Sequence, residues 1–243
     1  MKILFSPSEE KLSKNNFDVL GQNSFAFKDY ENKKELIDIY NNNLKLSDEE
    51  ISKMTGIKDP KKFEIYKKDI YTLRTNYAIK LYTGVAYKYL DFDLLKNSEQ
   101  KYIFNNVVIF SNLFGAIKAD DKIPNYKLKQ GQNLGSFKID KYYKEVQSSI
   151  LDKYFKDEDI LDLRAGVYEK FYQIKKPYIT LKFLKEGKVV SHYSKAYRGV
   201  ILRLLAGMNI KKIDNFEKLK FKNMILVDSK TEKFKTEYSY EIL

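Results

Sequence analysis

The chain has 243 residues, 43% of them hydrophobic and 32% charged, which is enough to bury a sizeable core in one large domain or two small ones. It has no cysteine, which excludes disulfides, iron–sulfur clusters and thiolate zinc sites, and its one histidine is too few for an imidazole-rich metal site. The formal net charge of +12 favours a polyanionic partner, nucleic acid ahead of an anionic membrane, although a lysine-rich composition of the whole proteome would give the same excess.

The sequence gives no indication of export or membrane insertion. No stretch approaches the ~18 consecutive apolar residues of a transmembrane helix. The apolar run at the start covers residues 2–6, which is too short for the core of a signal peptide. We therefore expect a cytoplasmic protein that has no membrane partner and holds no metal.

Hydrophobic periodicity predicts that strands and helices alternate along the chain. Residues 2–6 predict a buried strand ending at Ser-Pro, 8–30 are irregular, and 31–40 have the spacing of a helix that three asparagines end. Further predicted helices are 92–102, 140–155 and 196–208, further strands are 107–110, 160–163 and 234–242, a β-hairpin covers 178–193, and 118–136 has loop composition. Because strands and helices intermix without a repeat or a linker, we expect one α/β domain over 1–243, with a mixed β-sheet flanked by helices.

Residues 46–74 predict two helices joined by a tight turn. Ser47 and Glu50 form a capping box for the first helix, and Asp59 with Pro60 begins the second. Gly56 between them gives the pattern of a helix-hairpin-helix, whose exposed N–H groups can bind a DNA phosphate, although an ordinary helical hairpin has the same residues. The candidate DNA contacts in this lobe are Lys53, Thr55, Gly56, Ile57 and Lys58.

Polar residues follow several predicted strands, and ligand sites in α/β proteins often lie beyond strand ends. If four of these residues meet in one closed pocket, they favour an enzyme that acts on a nucleotide or a DNA base, with lyase-like or glycosylase-like chemistry. If they are spread along an open groove, they only shape a binding cleft. The four are Ser6, Asp121, Arg164 and Arg198. The single histidine, His192, is expected to pack beside the sheet.

Only four of the 45 basic residues are arginine. Arginine binds phosphate or carboxylate with a planar fork, which lysine cannot do, so each arginine is a candidate anion contact, with a structural salt bridge as the alternative. Lys195 and Arg198 are three residues apart and share one face of the predicted last long helix without an acidic neighbour, which favours an anion site.

Six short segments occur in an order that carries a family resemblance. They are Ser6-Pro7-Ser8, Tyr82-Thr83-Gly84, residues 111–115, Tyr126-Lys127-Leu128, residues 163–168 and residues 195–203. Together they resemble the YaaA family of peroxide stress resistance proteins over nearly the whole chain. Lys118 and Lys127 stand where the family has arginine, and Lys11 is the candidate for the lysine that follows the first Ser-Pro in the family.

The resemblance implies an α/β fold of unusual topology that contains a helix-hairpin-helix and a basic cleft. It implies binding to duplex or structured DNA, and a role in resisting hydrogen peroxide by limiting free iron and the DNA damage that iron causes. We therefore expect a bacterial, monomeric DNA-binding protein without a cofactor, whose cleft would accept a phosphate or sulfate ion. The expected DNA contacts of the cleft are Lys118, Lys127, Arg164, Lys195, Arg198 and Arg203, whereas Arg74 lies outside the six segments and is expected to be structural.

Overall fold

A computed structural model describes residues 1–12, 16–214 and 216–243. Within this part of the chain the strands are β1 (Lys2–Phe5), β2 (Thr75–Tyr77), β3 (Val107–Ser111), β4 (Gly115–Lys118), β5 (Lys122–Pro124), β6 (Ile160–Leu163), β7 (Tyr178–Lys185), β8 (Lys188–Val189), β9 (Met224–Glu232) and β10 (Lys235–Ile242). The α-helices are α1 (Tyr30–Asn43), α2 (Asp48–Thr55), α3 (Ala78–Leu81), α4 (Val85–Leu90), α5 (Asn97–Asn106), α6 (Ile139–Tyr154), α7 (Gly166–Glu169) and α8 (Ser191–Met208).

The main sheet is mixed, and its strand order is β4-β3-β1-β6-β7-β10-β9, with β8 paired to the end of β7. The five central strands, from β3 to β10, run parallel, whereas β4 and β9 pair antiparallel at the two edges. The strand β1 lies between β3 and β6, which explains why its residues form a continuous apolar run. Helix α6 packs against β4, and helix α8 packs against β7. The expected single α/β domain with a mixed sheet flanked by helices is therefore confirmed.

Several predicted elements have different limits in the structure. The helix α1 continues through the three asparagines to Asn43. The second helix of the 46–74 lobe is a 3₁₀-helix over Pro60–Ile65, followed by another 3₁₀ turn at Ile70–Thr72. The asparagines lie within α1 because their neighbours Leu36, Ile37 and Tyr40 pack into the core, which outweighs a weak local preference.

Strand prediction was wrong in several places, and the strands β2 and β4 were not predicted. The return strand of the hairpin at Glu186-Gly187 is only Lys188–Val189, because residues from Ser191 onward belong to α8. The segment of loop composition contains β5, which pairs with β2 in a separate small sheet. The strand β9 was missed, because most of it is exposed and it pairs along β10 at the edge of the sheet. The side chain of His192 lies outside the described part of the structure.

A charged pair is buried in the core beside β4. The Lys33 amine donates to the Asp29 carboxylate at 2.7 Å and to the carbonyl of Ala116 at 3.1 Å. The Gln147 amide donates to the same Asp29 oxygen at 2.6 Å, and its own carbonyl accepts from the Ala116 N–H at 2.8 Å. Lys33 has an exposure of 0%, so its charge is balanced within the core, and the pair connects α1, α6 and β4.

Candidate functional site

The carboxyl ends of the parallel strands β1, β3 and β6 meet at one edge of the sheet. At this edge the Ser6 hydroxyl, directly after β1, accepts a hydrogen bond from the N–H of Ala165 after β6 at 2.8 Å. The Tyr87 hydroxyl on α4 donates to the carbonyl of Ser6 at 2.8 Å, so α4 also holds the residue that follows β1 in place. A cavity of about 230 Å³ opens there. The side chains around this strand-end cavity include Ser6, Ser8, Glu9, Tyr87, Gln130, Tyr168, Lys195 and Arg198.

Two glycines allow the walls of the strand-end cavity to approach closely. A Cβ atom at Gly84 would lie 2.2 Å from the Ser8 hydroxyl, and one at Gly199 would lie 2.0 Å from the carbonyl oxygen of Ala86. Gly199 therefore lets α8 pack directly on α4, and this packing holds the first half of α8 over the cavity. Gly199 is needed for its lack of a side chain, because the atoms nearest to it are backbone atoms, whereas the atoms nearest to Gly84 belong to the side chain of Ser8.

Arg198 is the most informative cation of the cavity. Its guanidinium is half-buried, and it makes no ion pair or hydrogen bond with any residue in the described part of the chain. Burial lowers the pKa of Arg198, while the more distant carboxylates of Asp162 and Glu169 oppose that shift. Lys195, one turn earlier on α8, is exposed at the same cavity. An unpaired, partly desolvated guanidinium beside a second cation is the arrangement expected of an anion site.

A chain of buried hydroxyls lies under the opposite wall. The Ser111 hydroxyl, at the end of β3, is 2.8 Å from the Tyr126 hydroxyl, which is 3.0 Å from that of Tyr82. Burial raises the pKa of both tyrosines, so their hydroxyls remain protonated. The amine of Lys11 lies over the Tyr126 ring, 3.9 Å from its centroid, and 5.2 Å from that of Tyr82.

Glu9 connects the cavity to the segment that follows Tyr126. Its carboxylate accepts from the N–H of Gln130 at 2.8 Å and lies 3.5 Å from the Lys127 amine. Lys127 is therefore partly neutralised by an acidic neighbour. The next residue but one, Lys129, has no ion pair within the described chain, and its side chain lies next to Gly56, where an added Cβ atom would be 3.4 Å from it.

This packing places the turn of the 46–74 lobe beside the cavity wall. The N–H of Lys129 donates to the carbonyl of Met54 at 2.9 Å, which attaches α2 to the same segment. Gly56 takes a left-handed conformation with φ of 73° and ends α2, as a tight turn requires. The capping box between Ser47 and Glu50 is confirmed.

The turn uses its own N–H groups internally. The N–H of Gly56 donates to the carbonyl of Ser52 at 2.8 Å, and that of Ile57 donates to the hydroxyl of buried Thr55 at 3.2 Å. The Asp59 carboxylate accepts from the N–H of Lys61 at 3.1 Å, so a carboxylate already caps the 3₁₀-helix. The exposed groups that could contact a phosphate include the side chains of Lys53 and Lys58.

Arg164 lies within the core. Its guanidinium donates twice to the Asp162 carboxylate, at 2.9 and 2.7 Å, and to the carbonyls of Tyr168 and Tyr172 at 3.2 and 3.0 Å. It stacks on the Phe110 ring, and only 3% of the residue is exposed. These contacts hold the residues that follow β6 in place. They thereby position the N–H of Ala165 for its hydrogen bond to the Ser6 hydroxyl.

Arg203 and Arg74 also bind protein groups. Arg203 donates to the carbonyls of Leu90 and Asp91 at 2.9 and 3.2 Å, so it provides hydrogen-bond donors for the carbonyl groups at the end of α4. Arg74 donates to the carbonyls of Phe17 and Asn16 at 3.2 and 3.3 Å. Among the arginines of the described chain, Arg198 alone has no protein partner.

Asp121 is a buried turn residue and lies apart from Ser6 and Arg198. Its carboxylate accepts from the N–H groups of Ala26 and Lys118, both at 2.9 Å. Burial raises its pKa to about 6, although the two N–H groups and Lys33 favour the ionised form. The Lys118 amine, predicted as a cleft residue, lies 3.4 Å from Asp120. Ser6 and Arg198 thus share one cavity, while the polar groups of Asp121 and Arg164 are bound within the protein.

A second cavity of about 290 Å³ adjoins the first at the same edge of the sheet. Asn112, which follows β3, and Gly131 line it, and Gly131 directly follows Gln130 of the strand-end cavity. Three lysines and one aspartate contribute charge to its lining: Lys138, Lys141, Lys170 and Asp140. The carboxyl edge of the sheet therefore carries two neighbouring concave regions. The second has an excess of positive charge, whereas Glu9 and Glu10 balance Lys195 and Arg198 in the lining of the first.

Residues 1–12, 16–214 and 216–243 contain no cluster of three or more side chains with the usual metal-ligand groups. In the same residues, every helix is either too short or too polar for a bilayer-spanning segment.

The fold and the strand-end cavity define a single-domain α/β protein with a candidate ligand site at the carboxyl edge of a mixed sheet. The family model described as peroxide stress protein YaaA matches residues 1–228, and the chain belongs to that family. A protein of Campylobacter jejuni is 46% identical over 213 residues, which are 87% of each chain. A UPF0246 protein of Fusobacterium nucleatum is 31% identical over 230 residues, 90% of each chain, and one of Finegoldia magna is 28% identical over 235 residues, 90% of this chain and 89% of its own.

All six segments that carry the family resemblance lie at the carboxyl edge. The segments that contain Ser6, Gly84, Ala165 and Arg198 line the strand-end cavity, and those that contain Ser111 and Tyr126 form the hydroxyl chain beneath it. Sequence reasoning missed Glu9, Gln130 and Tyr168 as parts of the wall. A signal existed only for Tyr168, which ends one of the six segments.

Proposed function

We propose that this protein binds duplex or structured DNA through the basic carboxyl edge of its sheet, as a cytoplasmic monomer. In this role it would act in the response to hydrogen peroxide and limit the DNA damage that iron causes. The description of its family as a peroxide stress protein supports the physiological part. The unpaired guanidinium of Arg198 next to Lys195 carries the molecular part, since phosphate is the anion that such a pair binds best in a protein with a net charge of +12.

The proposed contact surface continues from the cavity to the 46–74 lobe. Lys129 packs on Gly56, and the neighbouring Gln130 lines the cavity, so both regions belong to one side of the molecule. The lobe would act as a helix-hairpin-helix in which Lys53 and Lys58 contact phosphate through their amines, because the N–H groups of Gly56 and Ile57 already have partners. Contacts of this kind do not depend on base sequence.

The proposal assigns different roles to the predicted cleft residues. Lys195 and Arg198 contact phosphate directly. Lys127 makes a weaker phosphate contact, because Glu9 partly neutralises its charge. Arg164 and Arg203 hold the strand exit and the end of α4. A free phosphate or sulfate ion would occupy the cavity at Arg198.

Fluorescence anisotropy with a labelled duplex tests the proposal. Arg198→Gln should weaken binding by at least about tenfold, because it removes a charge-assisted contact. Lys101→Gln is the matched control, since Lys101 is exposed near Met1 and Glu158, at the amino edge of the sheet. Equal affinities of both variants and the wild-type protein would refute the assignment of the DNA site to this cavity.

A further inference from the structure

The Lys11 amine occupies an unusual position beside the strand-end cavity. It donates to the carbonyl of Ser8 at 3.2 Å and rests on the faces of two tyrosine rings. No carboxylate of the described chain lies within ion-pair distance of it, although the side chain is partly buried. Lysines are rarely buried without a counter-ion unless the neutral amine is used.

The surroundings of Lys11 favour the neutral amine. Burial and, to a smaller extent, the nearby Lys127 amine together lower the pKa of Lys11 to about 7, although Glu9 opposes the shift. The rings of Tyr82 and Tyr126, the remaining groups packed against it, stay uncharged because burial raises their own pKa values. Near neutral pH the share of free amine at Lys11 is therefore roughly a thousandfold that of an ordinary lysine.

The cavity next to this amine is suited to a small phosphorylated ligand. Ser8, whose carbonyl accepts a hydrogen bond from the amine, and Glu9 both line it, so the amine is bound to the wall of the cavity from behind. Lys195 and Arg198 line the same cavity and provide the phosphate contacts. Its volume of about 230 Å³ is smaller than a typical drug-sized site and admits one sugar phosphate rather than a duplex.

We propose that Lys11 is a nucleophile that forms an imine with the aldehyde of a deoxyribose phosphate held by Lys195 and Arg198. The aldehyde comes either from an abasic site in DNA or from free 2-deoxyribose 5-phosphate. The first source rests on the proposed DNA-binding function, and the second does not.

The step uses no further reactant. The lone pair of the neutral Nζ attacks the aldehyde carbon, and the nitrogen loses a proton while the carbonyl oxygen gains one. The resulting carbinolamine loses its hydroxyl group together with the remaining proton on the nitrogen as water, and a carbon–nitrogen double bond forms. Hydrolysis reverses the sequence, so reduction is needed only to make the product permanent for detection.

Borohydride trapping tests this inference on the full-length protein. The protein is incubated with 2-deoxyribose 5-phosphate, or with a duplex that contains one abasic site, and the imine is reduced to a stable secondary amine. Peptide mass mapping should place the adduct on Lys11. Lys11→Gln and Lys11→Arg should both reduce the adduct to the level of surface lysines, whereas Lys101→Gln should leave it unchanged.

The pH dependence gives a second readout that does not need a variant. Adduct formation by the wild-type protein should reach half of its maximum near pH 7 if Lys11 reacts. A rise only above about pH 9 would mean that ordinary surface lysines react, and would overturn the inference.

The use of two substrates, the free sugar phosphate and the abasic duplex, distinguishes a failure of this inference from a failure of the DNA-binding proposal. An adduct on Lys11 with the free sugar phosphate supports the inference even if the protein has no affinity for DNA, and an adduct with abasic DNA identifies DNA as the source. Absence of an adduct on Lys11 with both substrates, in protein whose circular dichroism shows the native fold, overturns the inference even if undamaged duplex binds tightly. An adduct that persists in Lys11→Arg overturns it as well.

Discussion

The contact between α8 and α4 at Gly199 makes a quantitative prediction for Gly199→Ala. The new methyl group would lie 2.0 Å from the carbonyl oxygen of Ala86 and 3.0 Å from the N atom of Leu90, and real Cβ atoms essentially never approach closer than 3.0 Å. The helix must therefore move away from α4 by roughly 1 Å, and overpacking of this kind costs about 1–3 kcal/mol. The shift also displaces Arg198, the neighbouring residue, from the cavity.

Urea unfolding followed by circular dichroism measures this cost. Gly207→Ala is the matched control, because Gly207 lies on the same helix and its added Cβ would meet only the Glu99 carboxylate, at 3.7 Å. Alanine is the better helix former by about 1 kcal/mol, so the control should be as stable as the wild-type protein or slightly more stable. If Gly199→Ala is as stable as Gly207→Ala, the close approach of the two helices is refuted.

Three further substitutions probe buried charges by urea unfolding. Lys33→Met should cost about 3–5 kcal/mol, because it leaves the Asp29 carboxylate buried without its counter-ion, and a loss below 1 kcal/mol would contradict that pairing. Arg164→Lys should cost about 2–3 kcal/mol of stability, because it breaks the bidentate hydrogen bond to the Asp162 carboxylate. The DNA affinity of the folded variant should stay within about twofold of the wild-type value. A loss of affinity without a loss of stability would contradict a purely internal role for Arg164. The folded-state pKa of Lys11, about 7, lies below its unfolded value, so the unfolded state binds more protons above pH 7 and wild-type stability should rise with pH. Between pH 7 and 9 the wild-type protein should gain about 2 kcal/mol relative to Lys11→Met, and parallel stability curves for the two would contradict the lowered pKa.

The parts of the fold that were predicted correctly are those whose local pattern and tertiary role agree. The strand β1 is apolar because it is central, and α2 begins at Ser47 because its own capping box satisfies its first N–H groups. The sheet order could not be predicted, since β1 pairs with β3 and β6, more than a hundred residues away in each case. Periodicity identifies strands but contains no information about which strands become neighbours.

The candidate site was predicted only in part, for a similar reason. Lys195 and Arg198 were identified because they are adjacent on one helix, which is a local feature. Arg164 has the same residue type, but its role depends on an enclosed position against Asp162 and Phe110, and burial of a cation is not visible in the sequence. Lys11 owes its properties to Tyr82 and Tyr126, which only the folded chain brings beneath it.

The salt dependence of duplex binding tests the central claim most directly. If Lys53, Lys58, Lys195 and Arg198 each neutralise one phosphate, and Lys127 adds little because Glu9 already partly neutralises it, the logarithm of the association constant should fall with the logarithm of salt concentration with a slope of about −3.6. The double variant Lys195→Gln, Arg198→Gln should reduce the magnitude of that slope by about 2. A wild-type affinity that is unchanged between 50 and 200 mM salt, the range over which phosphate contacts weaken most clearly, would contradict DNA binding at this surface.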